Sequence, residues 1–221
     1  MRDSALARAM AFVERERVLR RGERVLVVLD SDVRSAALSV LIARTKSYLG
    51  LRAAGAIVVQ PREDEDDATG EAARYARHVG LEVTVCQSED EVVAVARSVM
   101  RERGWERLAL ADTVEDAAAR VLRECVEGRL LRGLCARRAD GVSRPLLESS
   151  LRDADEIARD AGLATVNVPP ELERAQPTRD DRVRDGILQR IRAEFPAVDR
   201  SLLRLAERSR RAVRKGRTPQ R

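Results

Sequence analysis

Val25-Leu-Val-Val-Leu29-Asp-Ser-Asp-Val-Arg-Ser-Ala-Ala-Leu38 decides the fold. Its first five residues are continuously apolar and rich in β-branched side chains. Such a run suits a strand buried on both faces of a parallel sheet. Asp30-Ser31-Asp32 interrupts it, and from Val33 to Leu49 the pattern becomes helical. Ala37, Leu38, Leu41, Ile42 and Leu49 share one side, and Gly50 acts as terminator.

The same strand–loop–helix unit recurs on either side. Upstream, residues 4–21 read as a helix stopped by Gly22. Downstream, Ala56–Gln60 reads as a strand ended by Pro61, and residues 70–79 as a helix closed by Gly80. Leu81–Cys86 is a third strand, and residues 89–103 are amphipathic up to Gly104. Arg107–Asp112 is a fourth strand, followed by a helix over 114–127. Val142–Leu147 is a fifth strand, placed at an edge by Pro145, and residues 151–161 are a helix ended by Gly162. Regular βα alternation with right-handed crossovers predicts an α/β protein. Its expected form is a doubly wound parallel five-stranded sheet with a C-terminal helical extension, and the ligand site should lie at the strand C-termini.

The expected division is an N-terminal helix over 1–21, an α/β domain over 22–168, a linker over 169–182 and a basic helical extension over 183–221. Pro169, Pro170 and Pro177 mark the linker. Val183, Ile187, Ile191 and Phe195, then Leu202, Leu205 and Val213, mark two terminal helices. From Arg200 to Arg221 there are nine Arg or Lys and one acid, Glu207.

Composition bounds the function. The 221 residues are 44% hydrophobic and 36% charged, with 42 basic against 37 acidic groups, so a packed core is affordable and disorder is excluded. Only Lys46 and Lys215 are lysines; arginine carries the positive charge. No apolar run reaches the roughly 18–20 residues of a membrane span. The N-terminus has no apolar core of a secretory signal, so none is expected. Cys86, Cys125 and Cys135 are too scattered for a disulfide framework, and a cytoplasmic location is expected. His78 is the single histidine, which leaves Ser/His/Asp and Cys/His mechanisms little to use.

In a doubly wound sheet the first strand–helix junction is the usual phosphate cradle. Here it holds no glycine, so neither the dinucleotide fingerprint nor the Walker A motif is present. Its frame nonetheless resembles the PP-loop family of adenine nucleotide α-hydrolases, whose loop reads Ser-Gly-Gly-x-Asp-Ser after an apolar strand. Asp30, Ser31, Asp32, Val33, Arg34 and Ser35 occupy those positions, and only the last serine matches.

Three further segments follow in family order. Leu108-Ala-Leu-Ala-Asp-Thr-Val-Glu-Asp-Ala-Ala-Ala-Arg-Val-Leu122 resembles the family's Ala-Thr-Gly-His-Asn-Ala-Asp-Asp-x-Ala-Glu-Thr-Val-Leu. It keeps Asp116, has Glu115 for the preceding acid, and lacks the His and Asn. Ser143-Arg144-Pro145-Leu146-Leu147, with the helix after it, resembles the Arg-Pro-Leu strand. Residues 179–196, Arg-Asp-Asp-Arg-Val-Arg-Asp-Gly-Ile-Leu-Gln-Arg-Ile-Arg-Ala-Glu-Phe-Pro, are similar to the Arg-Asn-x-Val-Arg-x-x-Ile-Leu…Pro segment of tRNA(Ile)-lysidine synthetases and tRNA thiolases.

The resemblance implies ATP and Mg²⁺ as cofactors and tRNA as partner. Such enzymes adenylate a tRNA base, and sulfur or an amine then displaces AMP. By position it implies nucleotide contacts at Asp30, Ser31, Asp32, Arg34, Ser35 and Asp112, a catalytic role for Asp116, and Mg²⁺ at Asp32 and Asp116. The chemistry of the loop pulls the other way. Asp30 and Asp32 add carboxylates beside a polyanion and Cβ atoms where backbone should approach. Like charges ~4 Å apart repel by about 4 kcal/mol at an effective dielectric constant of ~20. Ordinary pyrophosphate binding is therefore expected to be weakened or lost. Asp30, Asp32 and Asp116 read equally as helix caps and solvated loop residues, and Glu63–Asp67 as a solvated run.

Some thiolases of this family hold an iron–sulfur cluster through a Cys-x-x-Cys pair plus a third cysteine. This chain lacks such a pair, so neither a cluster nor zinc is expected. Arg182, Arg184, Arg208, Arg210, Arg211, Arg214 and Lys215 form the candidate RNA-binding set. With five aromatic residues in the chain, contact with the shape and backbone of a folded RNA is favoured over base stacking.

The expected role is a degenerate PP-loop protein in tRNA modification, partnered by an active PP-loop paralogue or a second copy. The alternatives are an active ATP-dependent tRNA-modifying enzyme and a nucleotide-independent protein-binding scaffold.

Overall fold

The computed structural model describes residues 4–60, 67–88, 91–127, 136–163, 179–195 and 197–216. The chain forms two compact units: Met1–Thr113 with Cys135–Asn167, and Val114–Leu134 with Val168–Arg221.

The first unit holds a five-stranded parallel sheet, as the βα alternation predicts. Its strands are β1 (Arg24–Leu29), β2 (Ala53–Gln60), β3 (Glu82–Gln87), β4 (Arg107–Ala109) and β5 (Val142–Ser143), in the order β3-β2-β1-β4-β5. Val25 is paired with Ala54 on one side and Arg107 on the other, so β1 is the central strand. That position is why its side chains read as an unbroken apolar run. Leu26, with Ile57 of β2 and Leu108 of β4, packs on Ala96 and Val99 of α4 (Val92–Glu102). Alternate residues of β1 point to the opposite face, where α2 (Val33–Leu49) and α3 (Asp67–His78) lie against the sheet. α1 (Ala5–Arg15) and α6 (Leu151–Asp160) cover α2 in turn. Enclosed between sheet and helices, α2 buries residues on every side, from Ser35 to Thr45. Gly50 ends it in the left-handed region at φ 66°, which favours glycine.

Strand order fixes where a ligand can enter. From β1 the chain steps outward through β2 to β3, then crosses by α4 to β4 on the other side of β1. The connections leaving β1 and β4 therefore diverge, opening a crevice at the strand C-termini.

Three local expectations are revised. The helix expected over 4–21 stops at Arg15, because the chain turns at Arg17 (φ 50°) to bury Val18 and Leu19 beyond the turn. The fifth strand spans only Val142–Ser143; the Arg144 amide bonds back to the Ala136 carbonyl, and Pro145 cannot donate to a ladder. Helix α7 (Arg179–Glu194) begins inside the stretch expected as linker, the rest of which lies outside the described residues.

The second unit contains α5 (Val114–Val126), α7 and α8 (Val198–Gly216), with α5 packed on both of the others. Among the described residues, no helix is long and apolar enough to cross a membrane.

Candidate functional site

At the crevice of the first unit lies a cleft of about 330 Å³, at the lower end of the range for small-molecule sites. Its apolar wall comes from Val28 and Leu29, Val58 and Val59, Ala72, Val92, Leu110 and Ala111. Its polar rim is Asp30, Ser31, Asp32, Arg34, Ser35 and Asp112. These six are the positions at which the family resemblance implies nucleotide contacts.

The loop before α2 uses its own side chains to satisfy its amides. Asp32 is the N-cap: one carboxylate oxygen accepts the Ser35 amide at 2.7 Å, and the other accepts from the Arg34 guanidinium. The Asp30 amide donates to the Ser35 hydroxyl at 2.9 Å, and the Ser31 amide donates to the Asp30 carboxylate at 2.8 Å. Asp32 is only 5% exposed. A buried carboxylate thus stands at the positive end of a helix, where an anion is most stabilised.

Tyr75 of α3 braces the loop from behind. Fully buried, it places its hydroxyl 3.2 Å from the Ser31 carbonyl and 3.3 Å from Glu71. Burial, reinforced by the negative charge of Glu71, pushes the Tyr75 hydroxyl up to about 12 from an ordinary 10. It therefore stays a neutral donor at physiological pH. Across the cleft, the buried Arg144 donates to Asp112 at 2.6 Å, fixing the carboxylate that follows β4. Neither Tyr75 nor Arg144 was in the candidate site set. Arg144 carried a signal as the arginine of the Arg-Pro-Leu segment. Tyr75 carried none, since it meets Ser31 from 44 residues away.

The other candidates fall elsewhere. Asp116 lies in the first turn of α5, in the second unit. Among the described residues, no group of three or more His, Cys, Asp or Glu is placed to hold a metal ion. Cys86 lies on β3 and Cys125 on α5, both as free thiols; Cys135 lies outside the described residues. Of the Glu63–Asp67 run, only Asp67 is described, as the first residue of α3. Arg182 and Arg184 belong to α7, and Arg208, Arg210, Arg211, Arg214 and Lys215 to α8. Among these seven, only the Arg208 side chain is described, and it is exposed.

No family model matches the sequence, and no curated protein matches it. Solved structures do. The U34-tRNA thiolase NcsA from Methanococcus maripaludis, solved with its [4Fe-4S] cluster, superposes with a TM-score of 0.67 at 18% identity. That match covers 92% of this chain and 78% of NcsA. The NMN synthetase from Francisella tularensis superposes with a TM-score of 0.53 at 13% identity, covering 93% of this chain and 94% of the synthetase. At such identities the likeness is one of fold: the chain shares the α/β fold of these two enzymes, with its parallel five-stranded sheet between helices.

Proposed function

We propose that this chain, built on the adenine nucleotide α-hydrolase-like fold, acts in tRNA modification as a tRNA-binding protein whose nucleotide loop is degenerate. It works beside an active PP-loop paralogue or a second copy rather than adenylating tRNA itself. The observation that carries the reading is the self-capped loop. A pyrophosphate cradle needs open backbone amides, whereas those of Asp30, Ser31 and Ser35 are taken by the Ser35 hydroxyl and the Asp30 and Asp32 carboxylates. The rim of the cleft carries three carboxylates and one guanidinium. A triphosphate entering it would meet repulsion of about 4 kcal/mol per close pair. The residues present do not fit a polyphosphate. The likeness to a tRNA thiolase and the basic α8 support the RNA side of the reading.

Two measurements test it together. Binding to tRNA should be tight at ~50 mM salt and fall steeply by ~200 mM. With millimolar ATP·Mg²⁺ and tRNA, neither a thermal shift nor pyrophosphate release should appear, whereas a ligand at 100 times its Kd would add about 2.7 kcal/mol of stability. Pyrophosphate release would establish the active-enzyme alternative, and absence of salt-sensitive tRNA binding would leave the protein scaffold.

A further inference from the structure

We propose that α8 carries a phosphate-binding ridge for double-stranded RNA, and that Phe195 beside it takes an unpaired base. The inference rests on the tRNA-binding reading and assigns it a surface, one that includes Arg200, Arg204 and Phe195. Helix α8 holds seven basic residues against two acidic ones. At 3.6 residues per turn, Arg200, Arg204, Arg208, Arg211 and Lys215 fall within an arc of about 80°, rising about 6 Å per step over about 22 Å. Arg200, Arg204 and Arg208 are exposed, while Leu203 and Ala206 are buried and α8 packs on α5.

In the first unit Arg8, Arg15, Arg97, Arg107, Arg137 and Arg144 are tied into ion pairs. Arg200, Arg204 and Arg208 make no ion pair or hydrogen bond among the described residues. Of the two acids on α8, Asp199 is gripped through both its oxygens by Arg192 of α7 at 3.0–3.1 Å, and Glu207 alone, beside five basic residues, leaves the stripe net positive. Like charges one helical turn apart destabilise a helix, so this stripe favours an external polyanion. Guanidinium forks suit phosphate, and a straight ridge of fixed rise suits the regular backbone of a duplex better than a slack strand. An anionic membrane is disfavoured, since a surface-lying helix needs its apolar face free, and Leu203 and Ala206 of that face in α8 are buried.

Phe195 supplies the second element. It is 62% exposed at the turn between α7 and α8. Its backbone is tied at both ends: its amide to the Ile191 carbonyl at 2.8 Å, its carbonyl to the Val198 amide at 2.9 Å. A large ring held in water on a backbone bonded at both its amide and its carbonyl, five residues before the first ridge arginine, is a platform for a base.

The experiment compares tRNA, a blunt RNA duplex and phosphatidylserine vesicles as probes of the full chain. In R200Q/R204Q/R208Q, the slope of log K against log salt for tRNA should fall by about 2 to 3, at 0.7–0.9 per lost phosphate contact. The arginine-to-lysine triple should keep it. F195A should weaken tRNA binding about 5- to 160-fold with the slope unchanged, and leave the blunt duplex unaffected. R77Q/R101Q/R152Q, three exposed arginines of the first unit, should change nothing. Glutamine is a good helix former, and circular dichroism confirms that each variant is folded. If wild type binds tRNA but the triple keeps its slope, the ridge is refuted and the tRNA reading stands. If F195A binds tRNA as wild type does, the base platform is refuted. If wild type binds no tRNA, both readings fall. Loss of vesicle binding in the triple, with tRNA binding intact, assigns the ridge to a membrane and refutes the proposal.

Discussion

Replacing Asp32 probes the self-capped loop directly. Asp32→Ala removes the acceptor of the Ser35 amide and the partner of Arg34 at a position 5% exposed. Loss of a cap costs about 0.5–2 kcal/mol, and a buried amide left without a partner costs about 1–3 kcal/mol. Both figures describe the same bond, so they overlap, and burial selects their common upper part: about 2 kcal/mol. For a chain of this size that lowers Tm by about 4–8 °C. Asp32→Ser keeps an oxygen for the cap and removes the charge, so it should recover most of the loss. It also frees Arg34 and takes one carboxylate from the rim. If that carboxylate holds phosphate away, ATP·Mg²⁺ should raise Tm in the serine variant and leave wild type unmoved. Urea and thermal denaturation of the three proteins, each with and without nucleotide, supply the data. An alanine variant as stable as wild type would refute the cap. A serine variant blind to ATP would refute the claim that Asp32 keeps phosphate out.

Four other outcomes follow from particular contacts. Tyr75→Phe should cost about 1 kcal/mol and change alkaline behaviour. Because the folded value of Tyr75 is raised to about 12, its contribution is complete below pH 10 and lost as pH climbs through about 12; the phenylalanine variant should lack that alkaline limb. In acid, Glu23 and Asp153 act with the opposite sign. Burial pushes both upward but is outweighed, for Glu23 by bonds from Arg137 and Arg20 and for Asp153 by bonds from Ser150 and Arg8, so both lie below their ordinary 4.5 and 3.8. Their stabilisation is present above those values and lost as pH falls through the lowered ones, and E23Q/D153N should flatten acid unfolding. Asp112→Asn should cost about 2 kcal/mol by weakening a charged bond to buried Arg144, and Arg144→Lys should not substitute for the guanidinium. Gly55→Ala would bring a Cβ within 3.0–3.1 Å of the Trp105 ring, so stability should drop by about 1–3 kcal/mol, with a shift in the emission of the single tryptophan.

Local chemistry was legible; distant contacts were not. The run Val25–Leu29 announces a central strand because burial on both faces removes alternation. The six rim residues were legible because a strand–loop–helix junction keeps them adjacent in the chain. Tyr75 and the Arg144–Asp112 pair come from packing across 44 and 32 residues, and no period or spacing reports which tyrosine will reach which carbonyl. Val18 and Leu19 show the converse failure. Their apolar spacing continues the helix on paper, but one left-handed residue, Arg17, redirects them into the core. The apolar face of α5 (Ala117, Ala118, Val121) looks like that of any crossover helix, so its packing on α7 and α8 was equally hidden.

The loop chemistry and the retained cleft belong to one constraint. Helix α2 starts within the core, so its first amides need an acceptor whether or not a ligand is present. A neutral glycine loop leaves that need to water or to phosphate, and ligand binding then gains the whole interaction. An internal aspartate meets the need permanently, which stabilises the empty protein by the cap's free energy and subtracts the same amount from any anion competing for the position. At about 2 kcal/mol the handicap is about 30-fold, before the repulsion from Asp30 and Asp112 is counted. Stability without nucleotide and affinity for nucleotide are thus opposed at Asp32. A chain that folds around its own carboxylate there completes the start of α2 without any bound anion.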